Sequence, residues 1–177
     1  KEFKTEETQI IVDPVMGDYG KPYPTYTEEM CGEMKKLVEF ADILTPNVTE
    51  ACVLTDTPYK EKWKIEEIQE MAEKIHKMGP KKIAITGIVQ GGFIANFCYE
   101  EGQQPKVLRT HKEGTQRSGD IFASIIAADA VNGVPFYKSV KKASDFIKKC
   151  IIRSQELNIP LTDGVCFEEV LGKLKTD

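Results

Sequence analysis

The apolar segments of this 177-residue chain predict an α/β domain whose central sheet is mainly parallel. Short β-branched runs alternate with longer stretches whose apolar residues recur at helical spacing, which gives the order strand, helix, strand. The short runs are apolar almost throughout, as strands are when helices cover both faces of their sheet. With 41% hydrophobic residues, the length suffices for a substantial core, and we expect a single domain over 1–177.

Five runs are predicted to be strands, and each ends at residues that break a strand. Proline stops the first two, at Asp13-Pro14 and at Thr45-Pro46, because it cannot donate to a ladder. Gly87 follows the third run, and Glu101-Gly102 separates the last two, which predicts an antiparallel pair at a sheet edge. In order, the predicted strands are 8–12, 41–44, 82–86, 93–99 and 106–109.

The segments between the strands carry helix signals. Thr27 opens one predicted helix, Asn47 caps the next, and Gly79-Pro80 ends the third. The segment 15–24 is rich in glycine, proline and aspartate and is predicted to be a long loop, a kind of loop that is usually functional. The apolar positions that define the helices are Met30, Met34, Leu37 and Val38; Ile65, Ile68, Ala72 and Ile75; Val140, Ala143, Ile147, Cys150 and Ile151; and, in a short last helix, Phe167, Val170, Leu171 and Leu174.

The segment 113–120 joins a polar, glycine-containing loop to a strongly helix-forming run. A helix that begins at Ser118-Gly119-Asp120 directs unpaired backbone N–H groups and the positive end of its dipole at one point. Such a point suits an anion, most commonly phosphate. An ordinary helix start has similar residues, with Ser118 as the N-cap and Asp120 complementing the dipole. The residues of this segment alone leave both interpretations open.

Polar residues follow three of the predicted strands. The carboxyl ends of parallel strands share one edge of a sheet, so Asp13, Thr45 with Asn47, and Thr86 are expected to converge there, facing Asp120. Glu50 lies three residues after Asn47 and shares its helix face. Carboxylate and amide oxygens suit Mg²⁺ that carries phosphates, although each residue alone is as well explained by capping or solvation. Together these positions favour phosphoryl transfer.

Composition and charge exclude several classes. A net charge of −4 argues against a general nucleic-acid partner, and no apolar run approaches the ~20 residues of a membrane span. No signal peptide is expected, and the two histidines have no partner at metal-ligand spacing. Five widely spaced cysteines predict free thiols in a reducing compartment, and hence a cytoplasmic protein.

Three motifs, Asp13-Pro14-Val15, Thr45-Pro46-Asn47-Val48-Thr49-Glu50 and Ser118-Gly119-Asp120, resemble the carboxyl-terminal part of pyridoxal kinases of the ribokinase superfamily. The resemblance implies a three-layer ribokinase-like fold that is incomplete at the N-terminus. It also implies ATP-dependent phosphorylation of the 5′-hydroxymethyl group of pyridoxal, pyridoxine or pyridoxamine. The retained part would handle ATP, so we expect the isolated chain to be inactive.

The same resemblance implies a role for each matching residue. Asp120 corresponds to the general base, and Arg117, Ser118 and Gly119 to the anion hole for the transferring phosphoryl group. Asp13 and Glu50 are expected near Mg²⁺, a monovalent cation is a further expected cofactor, and the purine is expected near the helix around Val140 and Ala143, with no base-specific contacts named. A homodimer is also expected. The positions that match nucleotide contacts are Asp13, Asp18, Tyr23, Thr45, Asn47, Glu50 and Thr86, with Tyr19 as an alternative to Tyr23.

One departure from the family pattern bears on activity. Arg117 occupies a position where the family usually has glycine, and arginine tolerates positive φ poorly. Its guanidinium could distort the anion hole or hold phosphate itself. Together with the incomplete N-terminus, Arg117 favours one alternative, a catalytically silent nucleotide-binding or interaction module. Because the retained part mostly handles ATP, the other alternative is a hydroxymethylpyrimidine or sugar kinase of the same superfamily.

Overall fold

The computed structural model describes residues 4–111 and 118–174, which form a five-stranded sheet with helices on both faces and a small separate hairpin. The strands are β1 (Ile11–Val12), β2 (Gly17–Asp18), β3 (Lys21–Pro22), β4 (Ile43–Leu44), β5 (Lys82–Gln90), β6 (Phe93–Glu100) and β7 (Lys106–His111). The helices are α1 (Glu28–Val38), α2 (Val48–Thr55), α3 (Ile65–His76), α4 (Gly119–Val131) and α5 (Phe136–Glu156), followed by 3-10 turns at Leu161–Asp163 and Glu168–Lys173.

The main sheet has the order β1-β4-β5-β6-β7. Strands β1, β4 and β5 are parallel, with Ile43 paired to both Ile11 and Lys82. Strand β6 is antiparallel to both of its neighbours, so β7 runs in the same direction as β5. Among the described strands of this sheet, β6 alone is reversed, which confirms the prediction of a mainly parallel sheet ending in an antiparallel pair.

Two hydrophobic cores lie on opposite faces of the sheet, because successive side chains of a strand point to opposite faces. On β5, Ile83 and Ile85 pack with α2 and α3, whereas Ala84 packs with α4 and α5. The predicted helical positions Ile68, Ala72 and Ile75 are buried in the first core. Helix α4 buries Phe122, Ile125 and Ile126 in the second core and leaves Ile121 half-buried.

Three predicted elements differ from the observed ones. The first strand is only two residues long, and the segment 15–24, predicted to be a loop, contains the β2–β3 hairpin. In α1, Cys31, Met34 and Val38 face the core, while the predicted positions Met30 and Leu37 are exposed. The buried face of α1 is therefore turned toward Cys31 and away from Met30 and Leu37. The predicted and the observed residues both keep the 3-4 spacing of a helix face, so the pattern alone could not separate them.

The predicted last helix is also wrong. Its place is taken by 3-10 turns, in which Val170 is buried but Leu171 is 52% exposed. Such short segments depend on the surface they meet more than on their own apolar pattern. All five cysteines are free thiols, as predicted, and burial raises the pKa of the Cys98 thiol to about 12. Within the described ranges, no helix is long and apolar enough to cross a bilayer.

Candidate nucleotide and phosphoryl-transfer site

An open crevice of about 1370 Å³ lies beyond the carboxyl ends of β1, β4 and β5 and extends along α4 and α5. It brings together the predicted site residues that lie in the described part of the chain. These are Asp13, Asp18, Tyr19, Tyr23, Thr45, Asn47, Glu50, Thr86, Ser118, Gly119 and Asp120. Arg117, which was predicted to belong to the anion hole, lies outside the described residues.

Asp13 lies at the centre of this arrangement, directly after β1. Its Oδ1 accepts a hydrogen bond from the Thr45 hydroxyl at 2.9 Å, and its Oδ2 would lie 3.5 Å from a Cβ placed on Gly119. The end of β1, the end of β4 and the start of α4 therefore meet at one carboxylate. Burial raises the pKa of Asp13, the Thr45 hydrogen bond lowers it, and the nearby charge of Asp120 raises it.

Asn47 and Glu50 form a reciprocal capping box at the start of α2. The Asn47 side chain accepts the Glu50 N–H at 2.9 Å, and the Glu50 Oε2 accepts the Asn47 N–H at 2.7 Å. The predicted cap at Asn47 is thus confirmed. The second Glu50 oxygen accepts the N–H of Met16 at 3.2 Å, so this carboxylate also holds the chain that leaves β1.

The first turn of α2 holds the β2–β3 hairpin, which carries Asp18 and Tyr19 into the crevice. The Asn47 amide donates to the Gly17 carbonyl at 2.9 Å, and the Thr49 hydroxyl accepts the Gly20 N–H at 2.9 Å. Tyr19 and Gly20 have φ values of 50° and 76°, so the hairpin turn uses the left-handed region twice. These two hydrogen bonds hold the backbone on both sides of Asp18.

Glu50 combines deep burial with two backbone donors. Burial raises its pKa to about 8, the N–H groups of Asn47 and Met16 lower it, and the charges of Asp13 and Asp18 raise it. Carboxylates that raise one another's pKa in this way favour a cation between them. The donor set suits Mg²⁺, which takes one or two carboxylates together with water and substrate phosphates. Both Glu50 oxygens already accept N–H groups, so Asp13 is the better candidate for a direct ligand and Glu50 for a contact through water.

Thr86 reaches the crevice from β5. Its N–H donates to the Pro46 carbonyl at 2.9 Å, and an isolated parallel bridge pairs it with Asn47. Its side chain is half-buried, and the neighbouring Gly87 is exposed. The end of β4 and the middle of β5 are thereby joined at the crevice, as the sequence predicted for Thr45, Asn47 and Thr86. The predicted end of this strand at Thr86 is wrong, because β5 continues through Gly87 to Gln90.

Helix α4 begins at the crevice. Ser118 occupies the N-cap position, but its side chain makes no capping hydrogen bond, and Gly119 and Asp120 of the first turn are exposed. The first N–H groups of a helix have no partner within it, so this end presents donors and a positive dipole to the crevice. Ser118 is therefore the N-cap by position, as one interpretation held, but its side chain does not satisfy the helix N–H groups, and the geometry suits an anion.

The purine was predicted near the helix around Val140 and Ala143, and the structure shows which side of that helix lines the crevice. Val140 and Ala143 are fully buried in the second core and cannot contact a ligand, because this face of α5 packs against the sheet. The part of α5 that lines the crevice includes Ser144, Ile147 and Ile151. The helical spacing identified the correct helix but not the side of it that faces the crevice.

Some residues of the site were missed by the sequence analysis. Thr49 clamps the hairpin, and Asn96 and Ser144 bond to each other at 2.8 Å on the wall of the crevice. Thr49 stands inside the quoted motif and could have been identified there. Nothing in the local pattern singles out Asn96 or Ser144, since their contact joins residues that are 48 positions apart.

The fold and the crevice define a class, namely α/β proteins that bind beyond the carboxyl ends of parallel strands with a helix start directed at the ligand. Within that class, the model of the phosphomethylpyrimidine kinase family matches residues 1–163, and the chain belongs to this family. The relationship predicted from the three motifs is confirmed at the level of the family. Pyridoxal kinases are one of two kinds of kinase among the relatives described next.

One relative is the hydroxymethylpyrimidine/phosphomethylpyrimidine kinase of Aquifex aeolicus. It is 28% identical over 161 residues, which cover 87% of this chain and 61% of that protein. A solved structure, from a phosphomethylpyrimidine kinase homologue of Bacteroides thetaiotaomicron, has a TM-score of 0.93 at 28% identity and covers 99% of this chain and 62% of that one. A second crystal form of the Bacteroides protein contains pyridoxal.

The pyridoxal kinase of Leishmania donovani, in complex with ADP and pyridoxine, has a TM-score of 0.76 at 26% identity. The match covers 94% of this chain and 58% of that one. The chain therefore spans less than two thirds of the length of each of these three proteins. The shared region is the one that carries the crevice.

Proposed function

We propose that the protein is a kinase that transfers the γ-phosphoryl group of ATP to the 5′-hydroxymethyl group of pyridoxal, pyridoxine or pyridoxamine. The observation that supports it most is the meeting of Asp13, Thr45, Asn47 with Glu50, Thr86 and the start of α4 in one crevice. The family adds support, and the Leishmania relative binds ADP and pyridoxine together.

In this proposal Asp120 is the general base. Its side chain is exposed in the first turn of α4, on the same crevice as Asp13. The carboxylate accepts the proton of the acceptor hydroxyl as that oxygen forms its bond to the γ-phosphorus. The bond from the γ-phosphorus to the β,γ-bridging oxygen breaks, and ADP leaves with the electron pair.

The start of α4 holds the transferring group. Backbone N–H groups of Ser118, Gly119 and Asp120 are fixed by the helix and point toward the crevice without reorganising during the reaction. Arg117 is proposed to belong to the same anion hole. Fixed donors stabilise the charge that develops on the equatorial phosphoryl oxygens.

The strand ends hold the nucleotide phosphates. Thr86 and Asn47 contact them from β5 and α2, Thr45 orients Asp13, and Asp18 and Tyr23 approach from the segment that follows β1. Asp13 would hold Mg²⁺ directly and Glu50 would hold it through water. When bound, the metal neutralises charge on the phosphates.

A second candidate is a hydroxymethylpyrimidine kinase. The Aquifex relative has that activity in its name, and both the family and the Bacteroides structure are named for phosphomethylpyrimidine kinase. Both acceptors are nitrogen heteroaromatic rings with a hydroxymethyl group, so the proposed base and phosphate contacts would serve either. The difference between the two candidates lies in contacts to the ring.

An acceptor panel tests the proposal. Because the 177-residue chain alone is expected to be inactive, the protein is expressed from its complete gene and purified. It is incubated with MgATP and pyridoxal, pyridoxine, pyridoxamine, hydroxymethylpyrimidine or a hexose, and ADP and the phosphorylated product are measured by chromatography and mass spectrometry. Reactions without an acceptor give the background hydrolysis. We expect the highest kcat/KM with a vitamin B6 compound. A preference for hydroxymethylpyrimidine or for a hexose would show that this compound, rather than a vitamin B6 compound, is the substrate. MgATP binding without any phosphorylated product would contradict the proposal that the protein is a kinase.

A further inference from the structure

Strand β5 is irregular where it passes the crevice. Ile85 pairs with Phe97 and Ile88 pairs with Ala95, so Thr86 and Gly87 together oppose Asn96 alone. Two residues opposite one define a β-bulge, which bends the strand and re-aims its side chains. Gly87 has a φ of 75°, a conformation that glycine adopts without strain. The bulge coincides with the residue that we assign to the nucleotide phosphates.

At the bulge, two backbone N–H groups of β5 find acceptors outside the β5–β6 ladder. At Thr86 the N–H donates to the Pro46 carbonyl at 2.9 Å, beside the bridge to Asn47. On the other side, the N–H of Gly87 donates to the side-chain oxygen of Asn96 at 3.3 Å. A side chain thus takes the place of a ladder acceptor at the residue that the bulge leaves unpaired.

The Asn96 side chain is itself held from behind. Its amide donates to the Ser144 hydroxyl at 2.8 Å, and that hydroxyl donates to the Val140 carbonyl at 2.7 Å. Ser144 is 9% exposed and lies on the buried face of α5, so the chain of hydrogen bonds runs from that face to the bulge. Because the hydrogen bond from Asn96 to Ser144 is partly buried, it holds the Asn96 amide in one orientation.

We propose that Asn96 is a positioning residue that fixes the Thr86–Gly87 bulge and so sets the contact of Thr86 with the phosphates of the nucleotide. This inference rests on the proposed nucleotide site. It assigns Asn96 and Ser144 a role in phosphate binding although neither is expected to touch the nucleotide phosphates. An asparagine in a strand that merely satisfied its own hydrogen bonds would affect stability alone.

Calorimetric titration of the wild type and of Asn96→Ala with MgATP, MgADP and adenosine tests the inference. The bulge acts on phosphate contacts, so we expect the Kd of MgATP and MgADP to rise about three- to tenfold, the size of one lost hydrogen bond, with the Kd of adenosine unchanged. Ser144→Ala should produce a smaller change in the same direction. In Thr86→Val/Asn96→Ala the losses should not add, because Asn96 acts through Thr86.

Gln90→Ala is the matched control. Gln90, the last residue of β5, accepts a hydrogen bond from Arg109 Nε of β7 at 3.0 Å, away from Gly87. Its loss should leave all three affinities at the wild-type value, and melting temperatures verify that every variant is folded. Unchanged affinities in Asn96→Ala, or equal weakening of adenosine and MgATP, would overturn the inference alone. If the wild type bound no MgATP, the proposed function would fail and this inference with it.

Discussion

At the scale of single residues, Glu50 shows how one side chain can serve the fold and the site together. The three-residue spacing from Asn47 predicted that both side chains reach one ligand, or that Asn47 only caps a helix. The structure confirms the cap and adds the bond from Glu50 to Met16, which the sequence did not indicate. The spacing is local and could be read from the sequence, whereas the contact with Met16 joins residues 34 positions apart.

The raised pKa of Glu50 predicts a pH dependence of stability. Its pKa is about 8 in the folded protein and near 4.5 in the unfolded chain. Between these values the folded state holds a proton that the unfolded state has lost, so the free energy of unfolding falls as pH rises and levels off above about 8. Urea unfolding between pH 5 and 9, without Mg²⁺ or nucleotide, measures this slope.

Glu50→Gln removes the titrating group and should reduce the slope, while the raised pKa of Asp13 leaves part of it in place. Glu70→Gln, on the exposed face of α3, is the control and should keep the wild-type slope. Equal slopes for Glu50→Gln and the wild type would show that Glu50 is ionised throughout this range. A titratable Glu50 would also mean that Mg²⁺, which favours the carboxylate, restores stability at the upper end of the range, where the ionised carboxylate destabilises the folded state.

At the scale of elements, the β2–β3 hairpin is the clearest departure from the predicted order. Its strands have two residues each, too few for an alternating pattern to be visible. It is held by Asn47 and Thr49 of α2 and by the packing of Tyr59 on Gly20, all distant in sequence. An element that depends on such contacts reads as a loop when only its own residues are considered.

Two glycines allow the packing of this hairpin to be measured. Gly20 and Gly102 both have a φ of 76°, but a Cβ on Gly20 would lie 2.3 Å from the Tyr59 ring, whereas a Cβ on Gly102 meets nothing within 4 Å. Alanine at either position costs about 1–2 kcal/mol for the left-handed backbone. Gly20→Ala should cost roughly 1 kcal/mol more, because the ring must move, and should also weaken MgATP binding.

Urea unfolding of Gly20→Ala, Tyr59→Ala, Gly102→Ala and Gly20→Ala/Tyr59→Ala tests this expectation. The double variant should lose less than the sum of its single changes, because removing the ring removes the clash. Gly102→Ala should leave MgATP affinity at the wild-type value, since Gly102 lies between β6 and β7 and away from the crevice. Equal losses of stability for the two glycine variants would contradict the packing of Tyr59 on the hairpin.

At the scale of the whole molecule, the convergence at the crevice was predictable and its details were not. Asp13, Thr45 and Thr86 could be brought together from the sequence because parallel strands end at one edge of a sheet. The bulge at Thr86–Gly87 could not, because Gly87 alone resembles an ordinary strand end and its partners, Pro46 and Asn96, come from other elements. The ligand-facing side of α5 was likewise decided by its packing on the sheet, which buries Val140 and Ala143.

If the residues that converge at the crevice serve phosphoryl transfer, Asp120 is the general base. The kcat of Asp120→Asn is the most direct measurement of that role. The substitution keeps the shape of the side chain at the start of α4 but removes its ability to accept a proton. With the best acceptor of the panel, we predict a fall in kcat on the order of 10²–10⁴, and a change in stability of only a few tenths of a kcal/mol. Asp56→Asn, at an 84% exposed side chain after α2, should leave kcat unchanged. An Asp120→Asn protein that turns over at the wild-type rate would contradict the claim, as would one whose loss of kcat is matched by a loss of folded protein.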